Sequence, residues 1–202
     1  AWGARRTGFA EMGDVAEVSA EDMIEREPIT VVCSKMGWIR ALKGHNADPE
    51  TLKFKDGDEG RYVIKAETTD KLLILGSNGR IYTLACASLP GGRGMGEPVR
   101  LMVDLPNEVE TVGLRIYNPQ GHLIVASSAG DGFRVPEAEI VAQTRAGKQV
   151  LNVKAGVTAQ IWQPVEGDHV AVVGENRKVL VFALEELPEM TRGKGVRLQK
   201  YK

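Results

Sequence analysis

The sequence predicts an all-β fold, a propeller-like disc built from four-stranded blades. Three observations carry that expectation. Apolar, β-branched hairpin patterns recur four times along 202 residues; glycine-basic loops follow the last three of them in the same register; and 3.6-residue periodicity is weak, confined to 17–26 and 184–190. Repeats of four strands and about 40–50 residues are the mark of blades arranged around an axis.

Each hairpin is an apolar run, a polar turn and a second apolar run carrying a base: 29–45, 71–85, 121–135 and 168–182. The turns are anchored at Gly37, Gly79, Gly130 and Arg177, spaced by 42, 51 and 47. Glycine at three of them fits a position with positive φ, and Arg177 is the exception. The first hairpin strands, 31–34, 72–75, 123–126 and 170–173, are apolar on both faces and are expected to be buried on both.

The loops form the second landmark. Gly91-Gly92-Arg93-Gly94-Met95-Gly96, Thr144-Arg145-Ala146-Gly147-Lys148 and Thr191-Arg192-Gly193-Lys194-Gly195 place Arg93, Arg145 and Arg192 at separations of 52 and 47. Leu89, Ile140 and Leu187, expected to be buried, precede them at separations of 51 and 47. Between loop and next hairpin lie two strand-like pieces, 98–103 with 109–116 and 149–153 with 157–165, so a unit has about four strands. A further strand is expected at 196–201, a position that precedes another hairpin in earlier units. About four blades are therefore expected, in a ring that is either closed or incomplete. Gly44-His45 and Gly121-His122 occur without a Trp-Asp dipeptide, so the WD40 signature is not met.

Residues 1–28 stand outside the repeat and read as an acidic linker or arm, with Ser19 capping a short helix at 20–26; residues 29–202 form the β domain. Residues 1–30 hold seven acids and three bases, although the whole chain balances 26 Lys+Arg against 27 Asp+Glu. The remainder is thus slightly basic, which permits a basic face.

Several function classes drop out. No stretch approaches the roughly 18 apolar residues of a membrane-spanning helix, and no signal-peptide core is present, so neither a membrane partner nor secretion is expected. Cys33 and Cys86 sit in apolar runs, and His45, His122 and His169 lack ligand spacing, so neither zinc site nor disulfide framework is expected. Ser34, Ser77, Ser127 and Ser128 have no histidine placed to activate them. The loop 91–96 lacks the ending of a phosphate-binding P-loop, and the acidic 56–60 reads as a solvated turn rather than a calcium loop. No catalytic residue, metal or cofactor is expected.

The bases repeat in position. Arg40, Lys43, Arg80, Arg134 and Lys178 lie on or beside the second hairpin strands; Arg93, Arg145, Lys148, Arg192 and Lys194 lie in the glycine-basic loops. In a radial repeat, equivalent positions fall on one edge of the disc and form a basic band suited to a phosphate backbone. Without stacking aromatics or a recognition helix, such contacts are sequence-neutral. The plainer reading is solvated charge that guards strand edges.

The stretch ITVVCSKMGWIRALKGHNADPETLKFKDGDE (29–59), with SNGRIYTL, LPGGRGMGEPV, RAGKQVL and LPEMTRGKG further on, closely resembles the C-terminal β-pinwheel family found in the A subunits of bacterial topoisomerase IV and gyrase. Trp2-Gly3-Ala4-Arg5-Arg6 is similar to the segment that joins this domain to the catalytic core. The resemblance implies a disc whose blades exchange strands and whose rim binds and bends double-stranded DNA. It implies an accessory, non-catalytic part of an ATP-dependent type IIA topoisomerase, so Tyr62, Tyr82, Tyr117 and Tyr201 are not catalytic. The implied partners are the rest of the topoisomerase IV A subunit and, through it, the ATPase subunit, in the bacterial cytoplasm at the nucleoid. The implied role is choosing topological substrates for decatenation and supercoil relaxation. Thr191-Arg192-Gly193-Lys194-Gly195 matches the gyrase Gln-Arg-Arg-Gly-Gly-Lys-Gly box only in part, which favours that role over gyrase-type wrapping. A protein-interaction scaffold is the other alternative.

Overall fold

The computed structural model describes residues 23–199. Most of the proposed arm, including Ser19, lies outside them; Met23 to Arg26 contain no α-helix. Hairpins β1–β2 (Pro28–Ser34, Trp38–Lys43), β4–β5 (Lys71–Gly76, Arg80–Ala85), β8–β9 (His122–Ser127, Asp131–Pro136) and β12–β13 (His169–Val173, Val179–Ala183) fall where the four patterns predict them. Strands β3 (Gly60–Glu67), β7 (Thr111–Ile116) and β11 (Ala159–Pro164) pair antiparallel with the first strand of hairpins one to three. Short strands β6 (Glu97–Pro98), β10 (Lys148–Gln149) and β14 (Val196–Arg197) pair with the second strand of the preceding unit's hairpin.

The sheet orders are β3-β1-β2-β6, β10-β5-β4-β7 and β11-β8-β9-β14, with β12-β13 alone as a two-stranded sheet. Each complete blade is therefore finished by a strand from beyond the next hairpin, which is the pinwheel exchange. Strands β3, β7 and β11 lie side by side across blades, where the Tyr62 hydroxyl donates to Val112 O at 3.0 Å. They form the inner wall, and β6, β10 and β14 the rim.

Four turns adopt one geometry. Gly37, Gly79 and Gly130 have φ of 82°, 75° and 78°, and Arg177 takes the same left-handed conformation at 61°. Asn78 Oδ1 accepts from Arg80 N at 3.0 Å and Asn176 Oδ1 from Lys178 N at 3.1 Å, so an asparagine two residues earlier holds both turns. The exception predicted from sequence is thus an exception of residue type and not of backbone.

Alternation along the buried strands explains the blade stacking. In β4, Leu72 and Ile74 join the apolar seam with Val31, Cys33 and Ile39 of the first blade, while Leu73 and Leu75 join the seam with Leu123, Val125 and Phe133 of the third. A strand between two blades has no solvent face, and each fully buried Leu contributes about 2 kcal/mol. Leu89, Ile140 and Leu187 are buried as expected.

Two expectations are corrected. Strand β12 is not covered on both faces: Val170 is buried against the third blade, but Val173 is 70% exposed, as are Val179 and Val181 on β13 at 61% and 58%. Among the described residues no blade packs on that outer face. The piece 98–103 continues β6 for one residue only and then turns into a four-residue helix, Val99–Met102. The weak helical pattern at 184–190 is a 3₁₀ turn at Leu184–Glu186 that buries Leu187. No helix among the described residues is long and apolar enough to cross a membrane.

Thermal unfolding of three variants tests the turns. Gly37→Ala meets open space and adds only left-handed strain, about 1 kcal/mol. Gly79→Ala also drives Cβ into the Leu151 carbonyl oxygen and is expected to lose about 3 kcal/mol or more. Arg177→Gly relieves strain and is expected to gain about 0.5 kcal/mol. Burial pushes the Cys33 and Cys86 thiols up to about 12. A thiol that ionises near 9 once unfolded but not when folded makes stability fall as pH rises above about 9. Both thiols should resist alkylation at pH 8 until the chain unfolds, which mass spectrometry of alkylated samples will read.

Candidate nucleic-acid interface

The glycine-basic loops are the links that carry each exchanged strand from its own unit to the neighbouring blade. Residues 91–96, 144–147 and 191–195 act as straps laid along β2, β5 and β9. Their last glycines, Gly96, Gly147 and Gly195, have φ of 84°, 70° and 81°. Each lies against the facing strand: a Cβ there would strike the carbonyl oxygen of Ile39, the Tyr82 ring and the Ile81 oxygen, or the carbonyl oxygen of Gly132. The periodic glycines are accordingly required for docking the exchanged strand, whatever the straps bind.

The ten bases singled out from sequence divide into two groups. The first group is engaged by the fold itself, and within it Arg40 and Arg80 hold the straps. Arg40 is 6% exposed; Nη1 donates to Gly94 O at 2.6 Å, Nη2 donates to Lys53 O at 2.7 Å, and the guanidinium carbon lies 5.6 Å from the Phe54 ring centroid. Arg80 donates from Nε to Ala146 O at 2.9 Å and from Nη2 to Gly147 O at 3.0 Å. Arg134 lies 3.7 Å from Glu189, beside the strap-side residues Pro188 and Met190 that hydrogen bond its backbone. Lys148 donates to Glu139 O. Lys194, read from sequence as a free loop charge, pairs at 3.0 Å with Asp131, a carboxylate only 4% exposed. Arg40 thus belongs to the interior, because a base whose donors are spent on backbone carbonyls in a seam has little left for a partner.

The outward group faces solvent. Arg93 and Arg192 are exposed and have no partner among the described residues. Arg145, on the strap between them, is 62% exposed, donates to Leu101 O and lies 3.8 Å from Asp104. These three occupy equivalent places on three successive straps at the rim. Lys43 is 92% exposed and 3.9 Å from Glu27, and Lys178 is exposed in the fourth hairpin.

Other bases carried no repeat signal and were missed. Arg115 on β7 lies 3.1 Å from Glu137, whose side chain is 1% exposed, an ion pair that ties the second blade to the third. Arg197 lies 3.0 Å from Asp131 opposite Lys194, and Lys154 is exposed. The partners of Arg115 and Arg197 come from different units, so spacing along the chain could not reveal them. The acidic 56–60 forms a turn in which Asp58 Oδ1 accepts from Met36 N at 3.0 Å and Glu59 N at 2.8 Å. Partial burial of that carboxyl works the other way, but these bonds and one from the Ser34 hydroxyl hold it below the usual range. Among the described residues no cluster of three His, Cys, Asp or Glu could hold a metal.

The family model described as DNA gyrase C-terminal domain, beta-propeller, matches residues 70–118, 121–158 and 168–202. The DNA topoisomerase 4 A subunit of Caulobacter vibrioides is 50% identical over 97% of this chain and 26% of its own length. That of Rickettsia conorii is 47% identical over 99% of this chain and 27% of its own length. The chain therefore spans about a quarter of these curated relatives. A solved structure titled as the E. coli ParC C-terminal domain is similar with a TM-score of 0.81 and 29% identity, covering 87% of this chain and 72% of the other. A crystal structure of the C-terminal domain of DNA topoisomerase IV shares the fold at a TM-score of 0.76 and 18% identity, covering 89% of this chain and 59% of that one. With the strand exchange, the periodic straps and these matches in agreement, the chain, which is similar to one part of topoisomerase 4 A subunits, belongs to the DNA gyrase C-terminal domain, beta-propeller family.

Proposed function

We propose that this domain binds double-stranded DNA along its rim, without sequence specificity, and bends it as a non-catalytic accessory of a type IIA topoisomerase. The observation that supports the reading best is the set Arg93, Arg145 and Arg192, one exposed arginine on each of three successive straps. Equivalent points on adjacent blades turn progressively around the axis, so a duplex following them is curved and its phosphates meet a repeated charge. Lys43, Lys178 and the outward edges of Lys148 and Lys194 extend the band, and Arg40 is left out of it. Exposed glycines in the first strap, Gly91 and Gly94, let a phosphate approach the backbone closely.

In the whole protein we assign this domain the selection of topological substrates for decatenation and supercoil relaxation. Cleavage and ATP hydrolysis belong to the rest of the topoisomerase IV A subunit and to the ATPase subunit it meets, in the bacterial cytoplasm at the nucleoid. Residues preceding the first blade serve as the acidic link to that core. The described end of the link, Glu25 to Glu27, is held by Thr68, whose Oγ1 accepts from Glu27 N at 3.0 Å.

Salt titration of duplex binding tests the reading. About four to six phosphate contacts should give a log-log slope of roughly -4 to -5, alike for unrelated sequences. Changing Arg93, Arg145 and Arg192 together to Ala should lower the slope by about 2.5, with stability changed by less than about 1 kcal/mol. Cys33→Ser is the control: it should lose about 1–3 kcal/mol of stability through a buried hydroxyl and leave the slope alone. An unchanged slope in the folded triple variant removes the straps from the DNA path. No duplex binding by the parent at low salt favours the protein-scaffold alternative.

A further inference from the structure

The third strap ends over a cavity of about 170 Å³ whose lining includes Asp131, Asn152, Lys154, Lys194 and Arg197. Two separate features bring its bases together. The first is the Asp131 carboxylate, 4% exposed, with Lys194 Nζ on one oxygen and Arg197 Nε on the other, each at 3.0 Å. Arg197 Nη1 also donates to Ala129 O at 2.8 Å. Nη2 of the arginine and two protons of the Lys194 ammonium are left without acceptors among the described residues. The second is the pinning of the strap to the segment leading into Lys154. Gly193 N donates to Val150 O at 2.9 Å, and Asn152 N donates to Gly193 O at 2.7 Å. A turn closed by Val157 N to Lys154 O at 3.0 Å then brings Lys154 to the cavity, and that side chain has no partner among the described residues.

The balance of charge decides what fits. Three cations face one carboxylate, leaving an excess of about two positive charges around a space open to solvent. Two of the cations are already fixed by a buried acid, so little ordering is needed when a ligand arrives. In the first two blades the register of Asp131 is taken by Trp38 and Arg80, which supply no carboxylate to organise bases on the exchanged strand. The arrangement is therefore particular to the third blade and does not follow from the repeat.

We propose that this cavity binds a phosphoryl group through Lys154, Lys194 and Arg197, with Asp131 as the positioning residue. The ligand chemistry is a phosphate dianion or diester, supplied either by a DNA backbone running off the third strap or by free phosphate. The DNA source rests on the rim-binding reading above; the free-phosphate source does not.

The test uses the 202-residue chain and Lys154→Ala, a change at an exposed side chain that removes no hydrogen bond or ion pair among the described residues. In the first arm, inorganic phosphate is titrated while amide chemical shifts are followed by NMR. Saturable shifts are expected at 152–157 and 194–197, weakened about tenfold or more in Lys154→Ala, since charge-assisted hydrogen bonds are the strong ones, and retained in Lys154→Arg. In the second arm, the salt slope of duplex binding is expected to fall by about 0.9 in Lys154→Ala. A fall in slope supports the DNA source, and phosphate-induced shifts with an unchanged slope support the free anion. Parent-like behaviour of Lys154→Ala in both arms overturns the site. If the triple strap variant lowers the slope while Lys154→Ala matches the parent throughout, the pocket fails and rim binding stands. If the triple variant does nothing but phosphate binding is lost in Lys154→Ala, rim binding fails and the pocket stands.

Discussion

The structure depends on one constraint, the open edge of a hairpin's second strand. A two-stranded hairpin leaves a row of backbone N–H and C=O groups unpaired, and in a stacked disc those groups cannot all be left to water. Here β2, β5 and β9 each receive a short strand from beyond the following hairpin. Everything at the rim follows from that choice. The incoming strand needs a strap, the strap must pass within contact distance of the facing backbone, and glycine is the residue that fits where it does.

The same constraint divides the basic residues. A strap crossing a blade exposes its own carbonyls, and the nearest long donors satisfy them: Arg40 for Gly94, Arg80 for Ala146 and Gly147. In the third blade Arg134 still faces Glu189 on the strap side, and a second arrangement runs the other way, with the acid Asp131 on the hairpin and the bases Lys194 and Arg197 on the arriving segment. Strap fixation and surface charge therefore draw on one supply of cations. The arginines that remain outward, Arg93, Arg145 and Arg192, are the exposed ones, one on each strap.

The blade count, the four turns and the positions of the straps were legible because each is a local pattern repeated in register. Even Arg177 obeys, its side chain tolerated where three glycines stand elsewhere. What could not be read was pairing between units. Spacing alone gave Arg40 and Arg93 equal standing, yet one is buried and the other free, because burial depends on which strap crosses which strand. The link between Asp131, Lys194 and Arg197 spans more than 60 residues and has no counterpart in the other repeats. The exposed faces of β12 and β13 were likewise hidden, since an apolar strand looks the same whether or not a neighbour covers it.

Strand exchange also sets an order of assembly during synthesis. The first blade has β1, β2 and β3 in hand once Glu67 has left the ribosome, but its fourth strand ends at Pro98, after the whole second hairpin. At a translation speed of about 5–20 residues per second, the edge of β2 stays open for several seconds while an apolar hairpin emerges beside it. The second and third blades wait in the same way for Gln149 and Arg197. A nascent chain of this design always presents one unfinished sheet, so its exposure to mispairing with neighbouring chains is a moving window that closes only as the next unit arrives.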